Sequence, residues 1–264
     1  MLEFLLSYDA ILALFTLTFL EIILGVDNIV FISIAANKLP ENQRSKATNL
    51  GLFLAMFQRI LLLFFVSFLV GLSEPFYTFK SSWLTTSVSW QGIILMGGGL
   101  FLLYKSTSEI REKVEMPSHD EEAVKRKKIS TLSKAIVQIM LIDFIFSIDS
   151  ILTAVGMTNG LHPNHNYVLV LMIIAVVISI IIMIAFANKI RQFILEHPSI
   201  QMLGLTFLVL IGFMLITEAA HLSDTSFMGK KVGAIPKGYL YFAISFSMFV
   251  EFLNHRIRKK SSSL

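Results

Sequence analysis

The chain has 264 residues, 55% of them hydrophobic and only 15% charged, with a mean hydropathy of +0.73 and a formal net charge of +4. That composition excludes an ordinary soluble domain and predicts an all-α polytopic membrane protein. The absence of cysteine excludes disulfides, thiolate ligands and iron–sulfur chemistry. The basic residues sit in loops between apolar runs, where membrane topology accounts for them without a nucleic-acid partner.

Seven apolar runs are long enough to span as helices, a crossing taking about 20 residues. They cover 9–36, 49–72, 89–104, 133–157, 167–187, 200–220 and 238–254, the third being short and Gly-rich. The N-terminus lacks the basic region and small-residue cleavage site of a signal peptide, so the first helix is expected to stay in the mature protein. Lysine and arginine divide 17 to 4 between the two sets of alternate loops, with Arg59 inside the second run. The bias places the N-terminus outside and the C-terminus in the cytoplasm.

The first run carries Glu21-Ile22-Ile23-Leu24-Gly25-Val26-Asp27-Asn28-Ile29, and the fourth carries Asp143-Phe144-Ile145-Phe146-Ser147-Ile148-Asp149-Ser150-Ile151. Each copy reads acid, five residues, Asp, small polar, Ile. If runs one to three form one unit and runs four to six another, an odd number of crossings makes the second enter from the opposite side. The expected architecture is therefore two inverted three-helix repeats, 1–104 and 133–222. A charged cytoplasmic linker at 105–132 joins them, and a seventh helix with a basic tail follows at 223–264. Gly99-Leu100-Phe101-Leu102-Leu103 and Ile211-Gly212-Phe213-Met214-Leu215 echo the repeat more faintly.

A charge at the centre of a spanning helix costs at least ~2.5–3.5 kcal/mol on insertion scales, so four acids there demand compensation. The bland alternative is that Arg59 pairs with one carboxylate, the other acids are protonated, and the cluster only specifies packing. One Arg does not neutralise four acids, and intramembrane acids mark ion or proton paths by default. In a regular helix, six residues put Glu21 and Asp27 roughly 120° and ~9 Å apart. Either each helix carries two functional layers, or it unwinds at Gly25 and exposes carbonyl ligands. Glu21, Gly25 and Asn28 share one face, as do Asp143, Ser147 and Ser150. Carboxylate, amide and hydroxyl oxygens favour hard divalent ions such as Mn²⁺, Mg²⁺ or Ca²⁺, and carboxylates also carry protons.

Other polar groups are read more lightly. In the linker, His119-Asp120-Glu121-Glu122 follows Pro117 and is expected to be solvated. Glu218 and His221, at i and i+3 near the outer end of the sixth run, can share an ion or simply meet solvent at the interface. Lys105 and Glu109 read as a surface ion pair. Trp83, Trp90 and Tyr239 fit an interfacial aromatic belt, and Gly97-Gly98-Gly99 permits close helix approach. The tail Arg256-Ile257-Arg258-Lys259-Lys260 fits anchoring to anionic lipid. An enzyme is not expected, since no Ser/His/Asp or His-rich catalytic constellation appears.

The two acidic motifs, Phe101-Leu102-Leu103-Tyr104-Lys105 with Glu109, and Pro236-Lys237-Gly238-Tyr239 leading to Glu251 and Asn254 resemble the TerC family of integral membrane proteins. The likeness covers nearly the whole chain and is that of a short form without CBS domains, related to LysE-type transporters. It implies a bacterial inner-membrane protein linked to manganese efflux, with Glu21, Asp27, Asp143 and Asp149 as metal-binding acids supported by Asn28 and Ser150. The expected function is divalent-cation export, Mn²⁺ first, coupled to protons, with Arg59 replacing the ion in the empty state. The competing expectation is a non-transporting membrane partner that assists insertion of membrane proteins or metalation of secreted ones. No resident cofactor is expected. The partners are the bilayer, the cation and protons, with a homo-oligomer or a contact with the secretion machinery as further candidates.

Overall fold

The computed structural model describes residues 1–37, 39–115 and 131–261, and within the first long helix the side chains of Asp27 and Asn28 lie outside the described residues. The His119-Asp120-Glu121-Glu122 cluster also lies outside them. The described helices are α1 (Leu2–Leu5), α2 (Tyr8–Asn37), α3 (Glu41–Phe64), α4 (Val66–Gly71), α5 (Trp90–Glu115), α6 (Leu132–Thr158), α7 (His165–Glu196), α8 (Pro198–Leu222) and α9 (Lys237–Ser261). The described strands are β1 (Pro75–Lys80), β2 (Leu84–Ser89), β3 (Ser226–Phe227) and β4 (Lys230–Lys231).

Seven described helices have 24 or more residues, one at each expected apolar run. Four of them, α3, α6, α7 and α8, are long and apolar enough among the described residues to cross a membrane. The outer faces of the long helices agree: Phe15 of α2, Phe57 of α3, Phe186 of α7 and Phe246 of α9 are each more than half exposed. Large side chains exposed on so many helices suit a lipid surround. The protein is a largely helical membrane protein.

Several boundaries differ from the apolar runs because polar residues continue a helix beyond the bilayer-length segment. Helix α3 starts at Glu41, eight residues early, with Pro40 as its N-cap and the Glu41 carboxylate in its first turn, where the helix dipole favours negative charge. It ends at Phe65, whose φ of −95° and ψ of 22° break the helix before α4 resumes. Helix α5 runs on to Glu115, so the first part of the expected linker is helical. The expectation of an all-α chain also misses a four-stranded antiparallel sheet of order β1-β2-β3-β4. β3 and β4 are joined through Met228 and Gly229, whose φ values of 48° and 77° suit the tight turn that hairpin twist requires.

The chain divides into two compact units. The first holds α1 to α4, α6, and α7 up to Phe193. Here α3 lies along α6, with Gly51 so close that a Cβ would stand 3.0 Å from Ile139 Cδ1. α2 packs on both α3 and α6. Ala36, Leu39, Ala47 and Ala135 form a dry cluster in this unit, and Gln58 Nε2 donates to the Met140 carbonyl at 3.2 Å. The second unit holds the sheet, α5, α8 and α9. Its centre is the crossing of α5 and α8, where a Cβ on Gly99 would meet the Gly212 carbonyl at 2.6 Å and one on Gly212 would meet the Gly99 carbonyl at 2.9 Å. The expected close approach at the glycine run is thus made by Gly99.

Candidate functional site

Three helices of the first unit bring their buried polar residues to one point. On α3 the buried stripe runs Ala47, Gly51, Ala55, Arg59, Leu62 and Leu63, so small side chains precede the arginine and let the helix lie close to its neighbours. On α6 the buried face includes Ile139, Asp143, Ser147, Ser150 and Ile151. On α2 it includes Ala10, Leu17, Glu21 and Ile29.

The Arg59 guanidinium occupies the meeting point. Its Nη2 donates to Asp143 Oδ1 at 2.7 Å, its Nε donates to Ser147 Oγ at 3.1 Å, and its Nη1 donates to Glu21 Oε2. Ser147 Oγ in turn donates to Asp143 Oδ2 at 3.1 Å. Arg59, Glu21, Asp143 and Ser147 are 2%, 3%, 6% and 0% exposed, so the whole cluster is dry. Ser150, whose hydroxyl donates to the Ser147 carbonyl at 3.3 Å, also interacts with Glu21. One cation thus holds two acids, rather than the single carboxylate of the bland alternative. The guanidinium fork suits this, because it offers separate N–H groups to three acceptors.

The helices are regular where unwinding was the alternative: α2 is unbroken through Gly25, and α6 through Ser147. Gly25 serves packing instead, since a Cβ there would fall on the Met183 side chain of α7. Asp149 therefore lies about 120° round α6 from Asp143 and ~9 Å along it, half-buried, with its carbonyl accepting from Thr153 Oγ1 at 2.9 Å. Asp27 occupies the matching position on α2. Among the described residues, no group of three His, Asp or Glu side chains is placed to hold a metal ion.

The remaining candidates belong to the second unit. Glu218 is half-buried on α8, and the exposed His221 has Nδ1 3.4 Å from the Val232 carbonyl. Lys105 Nζ lies 2.8 Å from Glu109, but that carboxylate is buried, so the pair is less superficial than its sequence position implies. Ser147, which the sequence put on the face of Asp143 without a role, joins the cluster by accepting from Arg59 and donating to Asp143. Its signal was present as a hydroxyl four residues after Asp143, on the same face.

The model of the family described as "Integral membrane protein TerC family" matches residues 6–263. The chain is 43% identical over 256 residues to the UPF0053 inner membrane protein YgdQ of Escherichia coli (strain K12), covering 97% of this chain and 96% of that protein. It is 40% identical over 259 residues to a UPF0053 protein of Haemophilus influenzae, covering 98% and 99% of the two chains. It is also 41% identical over 241 residues to YegH of Escherichia coli (strain K12), of which it covers 41%. No solved structure matches.

Proposed function

Since the chain belongs to the TerC family of integral membrane proteins, we propose that it exports a divalent cation, Mn²⁺ first among the candidates, in exchange for protons. The supporting observation is the convergence of Glu21 and Asp143, at matching positions of the two motifs, on one buried guanidinium. An acidic pair that is buried and already neutralised in part by a tethered cation is suited to trade that cation for a metal ion or protons.

In the proposed cycle the ion is the cargo. Asp27 and Asp149 receive it, with Asn28 and Ser150 supplying further oxygens, while Glu21 and Asp143 bind ion or proton whenever Arg59 releases them. Hard oxygen ligands without thiols favour Mn²⁺, Mg²⁺ or Ca²⁺ over softer metals. The only covalent bonds made and broken in the cycle are the O–H bonds of the exchanging protons, each passed from a carboxylate to water as the ion takes its place.

The proposed architecture is two inverted three-helix repeats plus α9, all seven long helices crossing the membrane, the N-terminus outside and the C-terminus in the cytoplasm. Pairing of like with like supports it. Glu21 and Asp143 meet in the first unit, and Gly99 and Gly212, within one position of equivalence, meet in the second. Elements related by a two-fold axis make such contacts where they cross it.

The test is flux in liposomes holding the full chain and a pH dye. Mn²⁺ transport with opposed proton movement is expected, lost in Glu21→Gln, Asp143→Asn, Asp27→Asn and Asp149→Asn. Transport that none of these changes would overturn the proposal. No flux of any divalent ion, together with co-purification of secretion components, would favour the membrane-partner alternative.

A further inference from the structure

Between the first turns of α2 and the end of α6, within the first unit, lies a cavity of about 270 Å³ whose walls include Asp9, Ala13, Thr16, Leu17, Met157 and Thr158. It stands over the faces that carry the acidic cluster. Leu17 is buried and precedes Glu21 by one turn, and Thr158 follows Ser147 by 11 residues, which returns to the same side of α6 within about 20°.

Its chemistry is one-sided. Asp9 is the only titratable side chain on its walls, and among the described residues its carboxylate has no hydrogen bond or ion pair. Thr16 Oγ1 donates to the Leu12 carbonyl at 2.8 Å and Thr158 Oγ1 to the Ala154 carbonyl at 2.8 Å, so each hydroxyl keeps lone pairs as an acceptor. A lone carboxylate with two hydroxyl acceptors fits a cation and repels an anion. At ~30 Å³ per water the cavity has room for roughly nine waters, enough for a hard divalent ion with a full first shell. Beyond Leu17, the buried Thr18 hydroxyl lacks a hydrogen-bond partner among the described residues, one turn short of Glu21.

We propose that this cavity is the outer vestibule of the acidic site, a station where a hydrated divalent cation is held by Asp9, and that Leu17 is the apolar plug between it and Glu21. The assignment rests on the export proposal for the direction of traffic and on the outside N-terminus for the side it opens to.

The chain has no cysteine, so single introduced thiols report alone. In right-side-out vesicles, Ala13→Cys and Thr16→Cys are expected to react with a membrane-impermeant thiol reagent. Mn²⁺ at ten times its Kd should slow both about tenfold, because roughly one site in eleven stays empty. Adding Asp9→Asn should abolish the protection, while Leu6→Cys, exposed on the chain before α2, should label at one rate throughout. Failure of both thiols to react from outside, equal rates with and without Mn²⁺, or protection that survives Asp9→Asn would overturn the vestibule. Mn²⁺ flux measured on the same preparation separates the two proposals. Flux without protection leaves export standing and removes the vestibule, whereas protection without flux does the reverse.

Discussion

Replacing Arg59 by methionine keeps much of the side chain's bulk and deletes the charge that holds Glu21, Asp143 and Ser147 together. Charge-assisted hydrogen bonds contribute ~1.5–3 kcal/mol each, so three set an upper bound of about 5–9 kcal/mol. Acids that take up protons recover part of that, and removing one partner of a buried ion pair costs ~3–5 kcal/mol in practice. For a chain of this size that is a fall of about 6–20 °C in Tm. Helical circular dichroism in detergent is the suitable assay, because Trp83 and Trp90 both belong to the other compact unit and tryptophan emission would report on the wrong part. The triple variant Arg59→Met, Glu21→Gln, Asp143→Asn removes the charges together and should regain more than half of the loss, as neutral replacements of buried ion clusters do. A single variant that melts within about 2 °C of the parent, or a triple variant no more stable than the single one, would refute the idea that Arg59 stabilises the fold by neutralising these acids.

Ser147→Ala removes a hydroxyl that accepts from Arg59 and donates to Asp143, and should cost about 1–3 kcal/mol in the same melt. Gly99→Ala and Gly212→Ala each place a methyl within 3 Å of the opposing carbonyl, and should each cost about 1–3 kcal/mol. Their double variant should lose less than the two single losses combined, because one separation of α5 from α8 relieves both clashes. If Arg59 competes with the cargo, Arg59→Gln should bind Mn²⁺ about tenfold tighter or more by equilibrium dialysis while transporting it more slowly. Weaker binding would show that the arginine supports the site without competing for it.

The positions of the long helices were legible because lipid imposes a length and an apolarity that hydropathy reads directly. The acidic residues stood out for the same reason, being costly where they lie. What the acids do with one another was not legible. Whether Arg59 reaches one carboxylate or two depends on how closely α3 approaches α2 and α6, and that approach depends on Gly51 and Ala55, which carry no chemical signal of their own. The sheet escaped notice because β1 is exposed at every position and β2 shows no alternation of burial, while β3 and β4 have only two residues each, so no period declares itself. In hindsight Tyr77, Phe79, Val88 and the Met228-Gly229 turn were signals for it. The start of α3 was missed because hydropathy marks where lipid begins, not where a helix does.

The regular course of α2 and α6 through their motifs has an energetic consequence for the proposed export. Glu21 and Asp143 share Arg59, and because the start of α2 lies against the end of α6 the two helices run antiparallel, so the next acids, Asp27 and Asp149, stand ~9 Å along the axes in opposite directions. Two unit charges at that distance interact by about 1.8 kcal/mol at an effective dielectric constant of 20, so a divalent ion held at Asp27 or at Asp149 repels the guanidinium by about 3.7 kcal/mol. That is close to the ~3–5 kcal/mol that breaking a buried ion pair costs. The same ion attracts Glu21 and Asp143, so it pulls the carboxylates one way while pushing their tethered counter-ion the other. Loading either flanking acid would thus loosen the cluster, and the loosened acids could take the ion or protons without a net charge left stranded in a dry interior. An acidic pair with no arginine would have nothing to release, and a cluster with no flanking acid would have nothing to sense the ion. One guanidinium between flanking acids couples loading on one side to release at the centre.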